Sequence, residues 1–285
     1  MPSRSFILPH APSFGGRLEG VVDLPPDATS ATPTVVLCHG FKGFLSWGFF
    51  PPLATLLAER GFVVVRFNFS GSGVAAESDV VHDEDAFRRN TFSLEHEELL
   101  AMLSALETVT DGAADPNAVS LLGHSRGAGA ALLAAADPAW RDRLRALVTW
   151  NGVATFERWG APERAAWRER GEVEIRNART GQVLALGIEL LDDLETRSEA
   201  LDLERAAATR RCPWLIVHGR ADETVPLAEG ERLTAVASPP CELMAIEGGS
   251  HTFGARHPFA GPTRELIAAM NASQRWLRRH GPVKS

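Results

Sequence analysis

Three short segments of the chain carry side chains suited to nucleophilic acyl transfer. In residues 119–129, Val-Ser-Leu-Leu-Gly-His-Ser-Arg-Gly-Ala-Gly, an apolar run leads into a Gly-x-Ser-x-Gly pentad, and an alanine- and leucine-rich stretch follows. A strand that turns this sharply into a helix leaves almost no space around the turn, so glycine is needed two before the apex (Gly123) and two after it (Gly127). The apex, Ser125, is expected in a strained backbone conformation, its hydroxyl clear of the sheet and facing the amide dipoles of the next helix. A serine hydroxyl is a poor nucleophile at neutral pH; it needs a base, and the base needs an orienting carboxylate. Residues 217–226, Val-His-Gly-Arg-Ala-Asp-Glu-Thr-Val-Pro, offer Asp222, and residues 247–253, Glu-Gly-Gly-Ser-His-Thr-Phe, offer His251. Both follow strand-like apolar runs, the place where a parallel sheet presents its functional groups. The chain order Ser125, Asp222, His251 is that of a triad built on such a sheet.

Each assignment has a plainer rival. Asp222 suits the cap of a helix beginning near Pro226. The position after the sixth strand, where an acid would be the alternative, holds Asn151, which cannot serve as one. The other histidines (His10, His39, His82, His96, His124, His218, His257 and His280) show no metal-ligand spacing and read as structural or solvated, with His124 packed inward. An oxyanion needs two amide donors: Arg126, after the nucleophile, and Phe41, in the His39-Gly40-Phe41 loop. The Arg126 guanidinium reads as an ion-pair partner rather than a substrate clamp. Ser70-Gly-Ser-Gly73 lacks the spacing and lysine of a phosphate loop and reads as a tight turn.

The elements that must position these groups follow from the hydrophobic pattern. Strands are expected at residues 4–8, 17–23, 34–38, 62–67, 119–122, 145–150, 213–217 and 242–246, and helices at 53–60, 93–108, 130–136, 227–237 and 262–279. Residues 74–90 read as an acidic loop. Apolar strands alternating with helices indicate an α/β fold, with a mostly parallel eight-stranded sheet covered on both faces. Residues 153–208, rich in Arg, Glu and Trp, break the rhythm and read as a helical cap inserted after strand 6. The expected division is a core of 1–152 and 209–285 with a cap of 153–208.

The 285 residues are 45% hydrophobic and 23% charged, an ordinary globular composition, with a formal charge of −7 and a pI near 5.7. The acidic balance argues against a nucleic-acid partner. With no run of about 18 apolar residues and no apolar core in the first residues, neither a membrane span nor a signal peptide is expected. Cys38, Cys212 and Cys241 form no C-x-x-C pair, and Cys38 and Cys212, beside apolar strand-like runs, read as buried free thiols; a reduced, cytoplasmic location is expected.

The segments His39-Gly40-Phe41, Gly123-His124-Ser125-Arg126-Gly127, His218-Gly219-Arg220-Ala221-Asp222 and Gly249-Ser250-His251 together resemble the α/β-hydrolase superfamily. The resemblance covers the chain outside the cap and is nearest to the dienelactone-hydrolase-like, prolyl-oligopeptidase-like and acyl-esterase groups. It implies an α/β-hydrolase fold and hydrolysis of an ester, thioester or amide through an acyl-serine intermediate, with no metal or organic cofactor; a small carboxylic ester is the expected substrate. Asn68 stands where many members carry Asp, at a structural position. Phe41, Phe44, Trp47, Trp150, Phe156 and Trp159 are candidates for an apolar or aromatic pocket. Two rivals stay open: an aminopeptidase-like amidase, with Glu189, Asp192, Asp193 and Glu195 recognising an amino terminus, and a non-catalytic binding protein on the same fold. Oligomeric state is not legible.

Overall fold

The computed structural model describes residues 2–9 and 14–281, so His10 lies outside the described residues. The chain runs β1 (Ser3–Pro9), β2 (Arg17–Asp23), β3 (Thr34–Cys38), α1 (Phe50–Ala58), β4 (Val63–Phe67), α2 (Glu84–Arg88), α3 (Phe92–Ser104), α4 (Leu106–Val109), β5 (Val119–His124), α5 (Arg126–Ala136) and β6 (Leu144–Trp150). It continues with α6 (Ala161–Arg170), β7 (Glu172–Arg176), β8 (Val183–Gly187), α7 (Ile188–Thr196), α8 (Leu203–Thr209), β9 (Trp214–Gly219), α9 (Leu227–Val236), β10 (Cys241–Ile246) and α10 (Arg264–His280).

Eight strands form one sheet in the order β1-β2-β4-β3-β5-β6-β9-β10. β2 is antiparallel to β1 and β4; every other pairing is parallel. Successive side chains of a strand face opposite sides. Thus Val36 and Cys38 pack with α3, α5 and α8, whereas Val35 and Leu37 pack with α1 and α10. Cover on both sides explains why β3, β4 and β5 are buried along their whole length and read as unbroken apolar runs.

Three local expectations are revised. The helix foreseen at 93–108 is two: α3 stops at Ser104, Ala105 leaves helical geometry (φ −98°, ψ 5°), and α4 turns toward β1, where Arg4 Nη2 donates to the Val109 carbonyl. The acidic 74–90 loop contains one helical turn, α2, capped by Asp83, whose carboxylate accepts the Ala86 amide at 2.9 Å. Finally, the segment between β6 and β9 is not purely helical. β7 and β8 pair as an antiparallel hairpin between α6 and α7. The alternation Glu172-Val-Glu-Ile-Arg176 is a period-two signal in which charged residues face out, and it is too short and too polar to read as a buried strand. α8 packs against α5 and α9, in the layer that covers the main sheet. Among the described residues no helix is long and apolar enough to cross a membrane.

Candidate active site

β5 ends in the elbow. Ser125 has φ 57° and ψ −122°, a conformation that costs a non-glycine residue about 1–3 kcal/mol and persists only where its surroundings enforce it. Here the Ser125 amide donates to the Trp150 carbonyl at 2.9 Å, and the Ser125 carbonyl accepts the Ala128 amide at 3.0 Å. Gly127 is needed because a Cβ there would stand 2.3 Å from the His39 carbonyl oxygen. The first turn of α5 is thereby pressed against the end of β3, and Ser125 projects at the rim.

The loops after β9 and β10 bring the other two groups to the same place. His251 Nε2 lies 3.0 Å from Ser125 Oγ, and His251 Nδ1 lies 2.8 Å from Asp222 Oδ2. The loops touch backbone to backbone: a Cβ on Gly219 would lie 2.1 Å from the Gly249 carbonyl oxygen, and the Ala221 amide donates to that same oxygen at 2.9 Å. Asp222 Oδ1 accepts the Thr224 and Val225 amides at 2.8 and 2.9 Å, leaving Oδ2 for the histidine. Burial pulls the Asp222 carboxyl upward, but the hydrogen bonds from His251, Val225 and Thr224 outweigh it and hold the group below the usual aspartate range. His218 secures this turn by donating from Nε2 to the Val225 carbonyl at 2.8 Å.

Two further side chains fix the histidine loop, and the sequence signals neither role. Asn151, with φ 47° and wholly buried, donates from Nδ2 to the Ser250 and His251 carbonyls at 3.2 and 2.8 Å. Its Oδ1 accepts the Gly219 amide at 2.7 Å. One amide side chain thus ties the acid loop to the base loop. His124 packs inward and donates from Nε2 to the His251 carbonyl at 2.8 Å. Burial, then repulsion from His251, lowers its pKa to about 3, so it stays a neutral donor.

His39 orients the loop after β3. Its Nε2 accepts the Phe69 amide at 3.1 Å, so Nδ1 carries the proton and donates to the Gly40 carbonyl at 3.0 Å. Burial lowers its pKa to about 4, which keeps that tautomer neutral. The Gly43 amide binds the same Gly40 carbonyl at 2.9 Å. In a trans peptide the N–H points opposite the C=O, so pinning the Gly40 carbonyl aims the Phe41 amide the other way. That amide donates to no backbone carbonyl among the described residues. Asn68 ties this region down as well, accepting the Leu45 amide at 2.7 Å and donating to the Val74 carbonyl at 2.8 Å.

Two cavities meet at Ser125 and His251. The larger, of about 520 Å³, is lined by Phe41, Phe92, Phe156 and Trp159, with Val153, Leu186, Thr155, Thr224, Val225, Lys42, Arg126 and Arg158. The smaller, of about 210 Å³, includes Trp47, Phe50, Asn177, Ala178 and Arg179. Phe41 and Lys42 border both. Of the six pocket candidates, Phe41, Phe156 and Trp159 line the larger cavity and Trp47 the smaller; Phe44 and Trp150 line neither. Trp150 has the strand parity of Ala146 and Val148, which faces α10, and its indole N–H reaches Ser273 Oγ at 2.8 Å. Phe44 is buried edge-on to His257, with Arg179 over its ring. The Arg126 guanidinium pairs with buried Glu95 at 2.8 Å and lies 4.2 Å from the Phe92 ring centre.

The acidic residues considered for an amino-terminus site are engaged elsewhere. Glu189 pairs with Arg88, Asp192 and Glu195 with Arg168, and Asp193 accepts the Ser93 amide; none lines either cavity. Phe92 and Arg158 had no sequence signal, because only the folded chain carries α3 and the β6–α6 connection to the rim.

The model of the alpha/beta hydrolase family matches residues 35–269. An uncharacterized protein of Escherichia coli O157:H7, YfhR, is 25% identical over 254 residues, spanning 85% of this chain and 72% of its own. A putative hydrolase from Agrobacterium vitis S4 superposes with a TM-score of 0.77 at 21% identity, covering 98% of this chain and 100% of that one. Est1E from Butyrivibrio proteoclasticus, with ferulic acid bound, gives 0.71 at 21% identity over 93% and 95% of the two chains.

Proposed function

Since the chain belongs to the alpha/beta hydrolase family, we propose that it is a serine hydrolase that cleaves small carboxylic esters through an acyl-serine intermediate. The observation that carries this reading is the continuous hydrogen-bonded line from Ser125 Oγ through His251 to Asp222, at 3.0 and 2.8 Å. In the cycle, His251 Nε2 takes the Ser125 proton as Oγ attacks the acyl carbonyl. Asp222, kept anionic by its amide and imidazole donors, holds the proton on Nδ1 and stabilises the imidazolium that forms. The developing oxyanion lies between the Arg126 amide, at the start of α5, and the Phe41 amide turned by His39. His251 then gives its proton to the leaving alcohol, and water activated by the same imidazole releases the acid.

The aromatic lining of the larger cavity supports an apolar or aromatic acyl group, and the aromatic acid held by Est1E is consistent with that choice. The amidase reading loses its motive, because its acidic residues are tied up in ion pairs away from the cavities. The test is labelling by a fluorophosphonate, together with turnover of a short-chain aryl ester. Wild type should label at Ser125 and hydrolyse the ester, and Ser125→Ala should do neither. A folded wild-type protein that remains unlabelled and inert toward esters overturns the reading and favours a binding protein.

A further inference from the structure

The charges at the rim do not match those of the chain as a whole. The protein carries a formal −7, yet both cavities at Ser125 are lined with cations, namely Lys42, Arg126, Arg158 and Arg179, and with no Asp or Glu among the described residues. Three of these cations already have a carboxylate. Arg126 is paired with Glu95, Arg158 is held by both oxygens of Glu229 at 2.6 and 2.9 Å, and Arg179 pairs with Asp79 at 3.3 Å. Lys42 has none within 4 Å among the described residues; its ammonium reaches only the Arg176 carbonyl, at 3.4 Å, and the face of Phe41. Half-burial pulls it below the usual lysine range, the direction expected of a cation that is losing water without gaining an anion. Its backbone sits at φ 57°, a region unfavourable for a lysine, and this conformation sets the side chain on the border shared by the two cavities beside Ser125.

We propose that the missing partner is supplied by the substrate: the enzyme acts on esters that carry one free carboxylate close to the scissile bond, and Lys42 selects them. One unmatched cation balances one negative charge, so the structure favours a monoanionic carboxylate over a phosphate dianion. The ammonium touches the substrate away from the reacting atoms, making Lys42 a specificity determinant rather than a member of the proton relay. This inference rests on the serine-hydrolase reading above.

The test uses matched pairs of esters, ethyl hydrogen adipate against ethyl hexanoate for a charge on the acyl side, and 3-carboxyphenyl butyrate against phenyl butyrate for a charge on the alcohol side. The measured quantity is the ratio of kcat/KM for the charged ester over the neutral one. In wild type that ratio should exceed one in at least one pair. Lys42→Met should lower it about tenfold, the loss of one charge-assisted hydrogen bond, and Lys42→Arg should restore much of it. In wild type the same ratio should also fall as salt is raised, because ions screen a half-exposed contact; this readout holds even if the variants do not fold. Turnover of both members of each pair with no preference, insensitive to salt and to Lys42→Met, overturns the carboxylate proposal and leaves the hydrolase reading standing. If no ester is turned over and Ser125 resists the fluorophosphonate, both readings fall.

Discussion

The loops at the sheet rim and the segment that lies between β6 and β9 are held by different kinds of contact. At the rim, backbones meet directly: Gly127 against the His39 carbonyl, Gly219 against Gly249, and Asn151 bonded to both the acid and the base loop. The polar groups there are buried, and their hydrogen-bond partners are fixed. Between β6 and β9, charged side chains meet in water. Arg168 pairs with Asp192 and Glu195, and Arg197 with Glu97 and Asp193, all but Asp193 with side chains about half exposed. Exposed pairs of this kind contribute little each. The difference teaches that the placement of Ser125, His251 and Asp222 is specified by contacts with no slack, whereas the inserted segment adds exchangeable surface pairs to the buried apolar side chains, Phe156, Trp167, Leu186 and Leu191 among them, that seat it on the core. The rim thus holds Ser125, His251 and Asp222 together, and the inserted segment adds Val153, Phe156, Trp159 and Leu186 to a cavity that the rim itself lines with Phe41 and Lys42.

The sharpest way to break this comparison is at the relay itself. Ser125→Ala and His251→Ala should each lower kcat by about 10⁴-fold or more while leaving the melting temperature near that of wild type, because the three groups act as a unit. Activity retained in either variant would remove the rim's special status. A smaller effect tests whether positioning matters beyond the three groups. Asn151→Ala leaves the buried Gly219 amide unpaired and takes one of two donors from each of the Ser250 and His251 carbonyls, which keep the Phe253 amide and His124; it should cost about 2 kcal/mol of stability and lower kcat by about 10- to 100-fold, with KM nearly unchanged. A drop in stability with kcat intact would mean that Asn151 only holds the fold.

Acid should act on the rim too. His39 and His124 have folded pKa values lowered to about 4 and about 3, against 6.5 in an unfolded chain. Below pH 6.5 the unfolded chain takes protons that the folded one refuses. The stability from these groups is therefore complete above pH 6.5 and drains away as pH falls toward 3. Unfolding by denaturant at stepped pH should show this slope, and His124→Asn should flatten it; an unchanged slope would place the acid sensitivity elsewhere. The smallest effect belongs to the other region. Arg197→Ala, which removes the pairs with Glu97 and Asp193, should change stability by no more than about 0.5 kcal/mol and turnover by less than twofold. A larger loss would show that the inserted segment is held more tightly than its exposed contacts suggest.

Some of this is written into the chain directly. The elbow glycines, the unbroken apolar runs of β3, β4 and β5, and the order of Ser125, Asp222 and His251 are local patterns. Each residue's neighbours in sequence demand its type, so the α/β fold and the identity of the three groups can be read without coordinates. The β7–β8 hairpin was hidden because its alternation lasts only five residues and its outward side chains are charged. The inward turn of Trp150 was hidden because parity along β6 has meaning only once the α10 face is known.

Other features depend on chain segments that are distant in sequence. Asn151 joins two loops that follow β9 and β10, Phe92 reaches the cavity from α3, and Lys42 is the cavity-lining cation without a carboxylate among the described residues only because Glu95, Glu229 and Asp79 have folded against the three arginines. Sequence alone determined that Ser125, Asp222 and His251 stand at the ends of strands, since a strained turn and a buried strand restrict residue types locally. Tertiary structure alone decided which polar groups share a partner and which charge is left over, since pairing is settled by distances that open only when the chain has closed on itself.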